Sequence, residues 1–315
     1  MDFVKRKEKL ASKDLRKNRL TVMVTLGVTL LAIGGVILYR ERGNLWGKIL
    51  APQVVTQAVT PVLPSPTPTP KFEKQQAEIK KLTANLQGTY GVFVQDLATG
   101  ESYGLKTQES FTAASLIKLP LLLTLFKEAE AGNLNWETKY VLKAADKRAG
   151  AGSIQYKPVG TVFTYRQMAE LMGKQSDNTA FNVFSNLLGE EKIQRVINDL
   201  GMENTSFKDN LTTPEDIGLF FDKLYTQDVL VRDDRDELLS FITDTLYEDR
   251  IPAGVPKGIK VSHKIGNEVG VVSDAGIVFS QKPFILVILS QGVIEKEAKE
   301  VLPKIAGLVY QQLGN

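Results

Sequence analysis

Cysteine is absent from this 315-residue chain, and histidine occurs once, as His263. The lack of cysteine excludes a disulfide framework, a cysteine nucleophile and thiolate metal ligands. A single histidine excludes a zinc site built on two or three imidazoles, whereas a metal site made only of carboxylates stays open. Any catalytic chemistry therefore has to come mainly from hydroxyl, amine, amide and carboxylate side chains.

Strong positive charge is also absent from most of the chain. Residues 1–50 contain eleven Lys and Arg against four Asp and Glu, a net charge of +7, and the rest of the chain has a net charge of −4. The basic character is thus confined to an N-terminal tail. Because the body has no basic surplus, we expect no nucleic-acid partner.

Long uncharged apolar runs are rare as well, and the longest is Leu20–Tyr39. About 20 residues of helix cross a ~30 Å hydrocarbon core. Residues 1–19 contain eight Lys and Arg, so the positive-inside rule predicts that they are cytoplasmic and that residues after 40 lie outside the membrane. We expect an uncleaved single-pass anchor at 20–39; a cleaved signal peptide and a buried core helix are the alternatives.

The segment after this run, residues 40–70, is predicted to be a linker. Its last part, 51–70, has six of the thirteen prolines and no charged residue. Alternating proline at 64–70 prevents helix formation and pairing inside a sheet. The linker should therefore be an extended spacer that holds the following domain away from a membrane.

Residues 71–315 are predicted to form one domain of the α+β class. The predicted strands span 90–97, a segment starting at 101, 259–264, 271–279 and 284–290. The predicted helices span 71–86, 113–131, 165–172, 178–188, 191–200, 214–225, 233–246 and 295–313. Two early and three late strands indicate one antiparallel sheet made from both ends of the domain and flanked by helices. The helical middle then forms an inserted all-α lobe.

Ser115 and Lys118 form the only Ser-x-x-Lys of the chain. On a helix this spacing puts both side chains on one face. Free backbone N–H groups in the first helical turn can stabilise developing negative charge near Ser115. The apolar run around Lys118 favours its neutral amine, which can act as a base. Taken alone, this spacing also arises by chance.

Two further polar motifs follow in order, Ser176-Asp177-Asn178 and Lys264-Ile265-Gly266. The first precedes an apolar helix, so it could be an N-cap; it could also supply a proton-transferring hydroxyl and a substrate-binding amide. The second could be an edge-strand lysine before a turn. It could equally bind a substrate carboxylate, with a glycine that lets a ligand lie close to the strand.

Together the three motifs match the Ser-x-x-Lys, Ser-Asp-Asn and Lys-Thr-Gly set of penicillin-recognising enzymes. The chain resembles the class A β-lactamase-like family of penicillin-recognising serine hydrolases over about residues 85–313. The similarity includes Thr212-Thr213-Pro214 at the start of a helix and Asp274-Ala275-Gly276 in a strand. It implies a five-stranded antiparallel sheet beside an all-helical lobe, with the site between them.

The resemblance also implies roles for individual residues. Ser115 would be the acylated nucleophile, Lys118 its activating base and Ser176 the proton shuttle. Neither a metal nor an organic cofactor is implied.

Four residues would bind the substrate. Asn178 would contact a substrate carbonyl group, and Lys264 would bind a substrate carboxylate. Gly266 would let the ligand approach the strand. The backbone N–H groups of Asn267 and of the nucleophile would form an oxyanion hole.

Two departures from the family pattern bear on activity. Ile265 replaces the usual threonine or serine and removes a hydroxyl that would contact the carboxylate. The long loop with a Glu-x-x-Leu-Asn pattern, whose glutamate activates the deacylating water, is missing, because residues 200–211 run directly into Thr212. Glu203 and Asp209 are the acidic residues in this short segment that could replace that glutamate; otherwise they are solvated loop charges.

The sequence leaves several functions open. We expect a membrane-anchored extracytoplasmic serine hydrolase that is acylated on Ser115 by β-lactams or by cell-wall peptides of the D-Ala-D-Ala type, and that deacylates slowly. The alternatives are a true β-lactamase with another water activator, a non-catalytic cell-envelope binding module, and a Ser-His-Asp hydrolase that uses His263. The absence of a Gly-x-Ser-x-Gly motif argues against the last of these.

Overall fold

The computed structural model describes residues 72–226 and 229–314. The predicted tail 1–19, membrane span 20–39 and linker 40–70 lie outside the described residues. Within the described part, no helix has the length and apolar character needed to cross a membrane.

Strands and helices alternate in blocks, as the sequence predicts. The strands are β1 Thr89–Asp96, β2 Ser102–Leu105, β3 Phe111–Thr112, β4 Lys139–Val141, β5 Val162–Thr164, β6 Leu211–Thr212, β7 Lys260–Glu268, β8 Val271–Phe279 and β9 Phe284–Gln291. The helices are α1 Glu73–Thr83, α2 Lys118–Glu130, α3 Tyr165–Lys174, α4 Asn178–Leu188, α5 Glu190–Asp199, α6 Pro214–Thr226, α7 Arg232–Phe241, α8 Ile251–Gly254 and α9 Glu295–Leu313. A 3₁₀ turn, Ala114–Ile117, precedes α2.

One antiparallel sheet contains β2, β1, β9, β8 and β7 in that order. The first two strands come from the beginning of the domain and the other three from its end, so the expected five-stranded antiparallel sheet and the α+β class are confirmed. The short pairs β3–β6 and β4–β5 lie outside this sheet and were not predicted. Strand β7 forms one edge of the sheet.

The central strand β9 is buried on both of its faces. Its residues Phe284–Ser290 are all buried, which explains its nearly continuous apolar sequence. Leu286 and Ile288 join a core with α1 and α9, whereas Val287 and Leu289 join a second core with the helical lobe. The two-residue period of a strand produces this division. The sheet is therefore the layer that separates the two cores.

Helix α2 lies at the centre of the helical lobe. Its first nine residues, Lys118–Phe126, are all buried, so other elements surround this part of the helix on every side. The predicted single helix 113–131 is in fact the 3₁₀ turn followed by α2. The change from one geometry to the other falls between Ser115 and Lys118, which gives the reactive serine its own tight turn.

Helix α7 ends at Phe241, and the prediction that it continues to Leu246 was wrong. The carbonyl oxygen of Ile242 accepts a hydrogen bond of 2.7 Å from the backbone N–H of His263. The hydroxyls of Thr243 and Ser262 lie 2.6 Å apart. These contacts with β7 replace the next helical hydrogen bonds, so the chain turns away from the helix to cover the sheet edge.

Gly276 provides a test of the packing between β7 and β8. A Cβ at this position would lie 2.2 Å from the Ser262 carbonyl oxygen and 2.7 Å from the Cα of His263. We expect Gly276→Ala to cost about 2 kcal/mol or more of unfolding free energy. In a domain of this size that lowers the melting temperature by roughly 4–8 °C, measurable by calorimetry. Gln281→Ala, in the exposed turn after β8, is the control and should change stability by less than about 0.5 kcal/mol. Equal melting temperatures for the two variants would contradict the packing argument.

Candidate active site

The amine of Lys118 is the centre of the polar cluster. Its Nζ lies 3.1 Å from the Oγ of Ser115 and 3.1 Å from the Oγ of Ser176, and it donates to the Ser176 carbonyl oxygen at 2.6 Å and to Asn178 Oδ1 at 2.8 Å. The side chain is 2% exposed. One amine from the first motif thus joins the nucleophile candidate to both predicted residues of the second motif.

Burial lowers the pKa of Lys118 from its ordinary value of 10.5 to about 7, although the negative charge of Asp177 opposes the shift. A large fraction of the amine is therefore neutral at physiological pH. A neutral amine 3.1 Å from a serine hydroxyl can accept the hydroxyl proton, so the geometry and the protonation state both suit a base.

The Ser176-Asp177-Asn178 motif divides two tasks among its three residues. Asp177 caps α4, because its Oδ1 accepts from the N–H groups of Thr179 and Ala180, both at 2.9 Å. Its other oxygen accepts from the N–H of Ile154. The side chains on either side of Asp177 face the Lys118 amine instead. The cap and the polar site predicted as alternatives for this motif are therefore both present.

Ser176 has an uncommon backbone conformation. Its φ of 55° lies in the left-handed region, which is costly for serine. Residue Ala114, next to the nucleophile candidate, is also left-handed, with φ of 46°. Two uncommon conformations next to one amine indicate that contacts from the rest of the site fix them.

Lys264 is buried in β7 and lies inside the strand, not at its end as predicted, because β7 continues to Glu268. Its side chain is 2% exposed, and its Nζ donates to the carbonyl oxygen of Ile265 at 3.4 Å. Burial, reinforced by the nearby charge of Lys118, lowers the pKa of Lys264 well below its ordinary value. The side chain of Ile265, which stands where the family motif has a hydroxyl, is itself buried.

Gly266 accommodates the turn that contains the nucleophile candidate. A Cβ there would lie 2.9 Å from the carbonyl oxygen of Ala113. The requirement for glycine thus has a structural cause in the protein itself, in addition to any ligand approach. The sheet and the turn before α2 come together at this residue.

Asn267 lies at the outer edge of β7. Its Oδ1 accepts from Arg250 Nη2 at 2.8 Å, and the buried Arg250 also donates to the Ser273 carbonyl oxygen at 2.6 Å. The N–H of His263 points away from β8, toward Ile242. The two-residue alternation of an antiparallel strand directs the Asn267 N–H toward the same outer side.

A cavity of about 550 Å³ opens onto these groups. Four of the predicted residues line it, namely Ser115, Lys118, Asn178 and Asn267, whereas the other three, Ser176, Lys264 and Gly266, do not. The remaining lining residues, which sequence reasoning missed, are Ala114, Ile117, Phe181, Ser185, Asn186, Glu190, Phe207, Lys208, Asn210 and Glu268. Ala114, Ile117 and Glu268 lie within or next to the first and third motifs. No motif marks the others, because α4, α5 and the following loop meet at this place only in the folded chain.

Hydrogen bonds to Asp216 in α6 anchor the short loop that follows α5, residues 200–211. The Asp216 carboxylate accepts from the Thr205 hydroxyl at 2.7 Å and from the Asn204 N–H at 2.9 Å. Asp209 accepts a hydrogen bond from the hydroxyl of Ser206, and neither Asp209 nor the exposed Glu203 lines the cavity. The two acids suggested by the sequence as water activators are thus outside the cavity.

His263 is also outside the cavity. It is fully buried, with Nδ1 2.8 Å from Asp274 Oδ1 and Nε2 3.1 Å from Glu248 Oε1. Burial by itself lowers the pKa of His263, but the two carboxylates outweigh it and raise the pKa to about 9. A histidine that is charged and enclosed in this way joins β7 to β8. It is poorly suited to accept a proton from Ser115.

The chain is similar in sequence to proteins of one known family. A family model described as the Beta-lactamase enzyme family matches residues 74–313. Beta-lactamase 3 of Bacillus cereus is 26% identical over 236 residues, which are 69% of this chain and 74% of the relative. Beta-lactamase ROB-1 of Haemophilus influenzae is 26% identical over 253 residues, 71% of this chain and 80% of the relative.

Solved structures agree with the fold. PBP-A superposes with a TM-score of 0.72 at 27% identity and covers 76% of this chain and 96% of its own. A PBP-A mutant solved as an acyl-enzyme complex with penicillin G gives the same values. A beta-lactamase from Sphaerobacter thermophilus superposes with a TM-score of 0.71 at 25% identity and covers 75% and 95% of the two chains.

The protonation state of the buried amine can be measured directly. Because burial lowers the pKa of Lys118 to about 7, its side-chain ¹³Cε resonance should titrate with a midpoint near pH 7 in the folded protein. The resonance is assigned by its absence from Lys118→Ala. Retention of the ammonium form up to pH 9 would show that the surrounding acceptors outweigh burial.

Proposed function

Because this chain belongs to the beta-lactamase enzyme family, we propose that it is a serine hydrolase that forms an acyl-enzyme on Ser115 and releases the acyl group slowly. The hydrolase class follows from the family. The observation that supports the acylation site is the 3.1 Å approach of the Lys118 amine to the Ser115 hydroxyl inside an open cavity.

Acylation begins when the Ser115 hydroxyl attacks the carbonyl carbon of a β-lactam or peptide bond. The neutral Lys118 amine accepts the hydroxyl proton as the new C–O bond forms. When the C–N bond breaks, the leaving nitrogen needs a proton. The Ser176 hydroxyl, 3.1 Å from the same amine, provides a route for it.

Residues of the edge strand β7 support the proposed mode of substrate binding. A substrate carboxylate near Lys264 stabilises the ammonium form that burial disfavours. The Asn178 amide contacts a substrate carbonyl group, and the Asn267 N–H, with that of Ser115, stabilises the oxyanion. Gly266 keeps the strand close to the turn. Since Ile265 contributes no hydroxyl, we propose that the carboxylate is bound less tightly than in relatives that have one.

The acyl donors proposed are β-lactams and cell-wall peptides that end in D-Ala-D-Ala. The PBP-A mutant trapped with penicillin G supports the β-lactam half, since its fold superposes on this chain. We also propose that residues 20–39 anchor the protein in a membrane with the catalytic domain outside. The uncharged run and its basic N-terminal flank support this topology.

A true β-lactamase is the second candidate. The curated relatives named above are beta-lactamases, and two carboxylates, Glu190 and Glu268, line the cavity. Either could activate a water molecule if it reached the acyl carbonyl. The two candidates differ in the lifetime of the acyl-enzyme, which decides between them.

Intact-mass spectrometry of the full-length chain mixed with penicillin G tests acylation. We expect the protein to gain the full mass of penicillin, because ring opening releases no fragment, and we expect Ser115→Ala to gain none. Lys118→Ala should slow adduct formation by a factor of about 10²–10⁴, the usual contribution of a positioned base. Gln281→Ala serves as the unaffected control. An adduct on Ser115→Ala would reject this nucleophile, and an inert wild type would favour a binding module.

The lifetime of the adduct tests slow deacylation. Without a positioned base for water, hydrolysis should be about 10²–10⁴-fold slower than in an enzyme that has one, so the adduct should persist after free penicillin is removed. Glu203→Gln, outside the cavity, should not alter the lifetime. Rapid loss of the adduct in the wild type, together with a longer lifetime in Glu190→Gln or Glu268→Gln, would establish the second candidate instead.

A further inference from the structure

Arg250 lies immediately before α8 and contacts the sheet beside the proposed oxyanion hole. Its side chain is 2% exposed. The guanidinium donates to three oxygen atoms, the Ser273 carbonyl oxygen at 2.6 Å, Asn267 Oδ1 at 2.8 Å and the Gly266 carbonyl oxygen at 3.3 Å. All three acceptors belong to β7 or β8, and no step of the proposed acylation uses this buried cation.

The backbone next to Arg250 is fixed to the sheet as well. The N–H of the following residue, Ile251, donates to the buried carboxylate of Asp274 in β8 at 3.0 Å. The Ile251 side chain is fully buried in the core that the sheet shares with α9. The Arg250 side chain is therefore held at both of its ends, by this backbone and by the three acceptors.

The guanidinium lacks a close ion pair. Among the described residues, the one carboxylate within 4 Å of it is that of Asp249, which lies 3.7 Å from Nε and is 53% exposed. The Nε atom is buried and has no hydrogen-bond partner in the described part of the chain. Because a buried charge is costly unless it is paired and hydrogen-bonded, the contacts with β7 and β8 are the main compensation for burying this cation.

The Gly266 carbonyl group belongs to the same peptide unit as the Asn267 N–H. A trans peptide is planar, and its C=O and N–H point in opposite directions. The Asn267 N–H is directed to the outer edge of β7, so the carbonyl group is directed toward β8, where Arg250 donates to it. A donor on the carbonyl oxygen polarises the peptide, and the N–H on the other side becomes a stronger donor.

The charge of Arg250 is also felt at the substrate side of β7. Burial and the charge of Lys118 are the larger causes of the lowered pKa of Lys264, and the charge of Arg250 adds to them against the opposing charge of Asp274. A cation whose field reaches Lys264 also favours negative charge that develops on a nearby oxyanion.

We propose that Arg250 is a positioning residue for the oxyanion hole, which fixes the Gly266–Asn267 peptide unit and strengthens the Asn267 N–H as a donor to the transition state. This inference rests on the proposed acylation of Ser115. Arg250 does not line the cavity, so its effect belongs to the chemical step and hardly to the binding of unreacted substrate.

The variant Arg250→Lys tests this role, because lysine keeps the positive charge but lacks the rigid fork that contacts three acceptors. Acylation of the full-length chain by penicillin G is followed by intact mass over a range of concentrations. The limiting rate should fall about tenfold, a smaller loss than the factor of about 10²–10³ for removal of a whole oxyanion donor. The half-saturating concentration should change by less than about twofold.

The carbonyl stretch of the acyl-enzyme is a readout that a loss of stability would not move. Penicillin G labelled with ¹³C at the β-lactam carbonyl forms an ester on Ser115, and the infrared band of that ester falls in wavenumber as hydrogen bonds to its oxygen strengthen. We expect Arg250→Lys to shift the band to higher wavenumber. Asn267→Ala removes one acceptor of the guanidinium but keeps the backbone N–H, so it should shift the band less in the same direction. This second variant keeps Arg250 and carries the test if Arg250→Lys does not fold.

Arg166→Lys is the matched control. Arg166 lies in α3, pairs with Glu137 and Glu237, and does not line the cavity. Its replacement can lower the melting temperature but should leave the limiting rate and the carbonyl band unchanged. Equal effects in Arg166→Lys and Arg250→Lys would assign both to a general loss of stability and overturn the inference.

The outcomes separate this inference from the proposed function. An unchanged carbonyl band in Arg250→Lys, or a rise in the half-saturating concentration that accounts for the whole loss of rate, would overturn the positioning role while acylation of Ser115 stands. If the wild type forms no adduct with penicillin G, the proposed function fails, and this inference fails with it.

Discussion

The rest of the site depends on the burial of one amine, that of Lys118, at the start of the central helix. Its Nζ has four oxygen acceptors within 3.1 Å, from Ser115, Ser176 and Asn178. These contacts fix the distance between the helix that follows the 3₁₀ turn and the segment that starts α4. Because burial of a charge is costly, the enclosure of the amine lowers its pKa toward the neutral form that a base requires, although the oxygen acceptors that position the amine favour its charged form.

Two buried cationic groups affect the dependence of stability on pH in opposite directions. Burial lowers the pKa of Lys118 to about 7, so its destabilising effect is complete below pH 7 and is relieved as pH rises toward the unfolded value of 10.5. The pKa of His263 is raised from 6.5 to about 9, so its stabilising effect is complete below 6.5 and is lost as pH rises through 9. Between pH 7 and 9 the two contributions therefore change in opposite directions. The ion pair of His263 with Asp274, which joins β7 to β8, therefore offsets part of the stability that the fold loses by burying Lys118 as a neutral amine.

Much of this could be predicted from the sequence, because local patterns determine it. The apolar run at 284–290 predicts a strand, and the first two motifs predict the residues that surround the Lys118 amine. The end of α7 and the extension of β7 to Glu268 could not be predicted, since both depend on pairing between distant segments, such as Ile242 with His263. The cavity residues of α4, α5 and the short loop were missed for the same reason. From the sequence, Glu190 is recognisable only as an acidic residue in the first turn of a helix, and its place beside α4 and the short loop depends on the fold.

The short loop bears directly on the proposed lifetime of the acyl-enzyme. Its anchoring by Asp216 brings Phe207 and Asn210 to the cavity wall and keeps Glu203 and Asp209 outside. A loop of this length has no place for the glutamate that activates water in active class A β-lactamases. The truncation therefore supports the proposed long lifetime of the acyl-enzyme, because neither acidic residue of the loop lines the cavity in which water would attack.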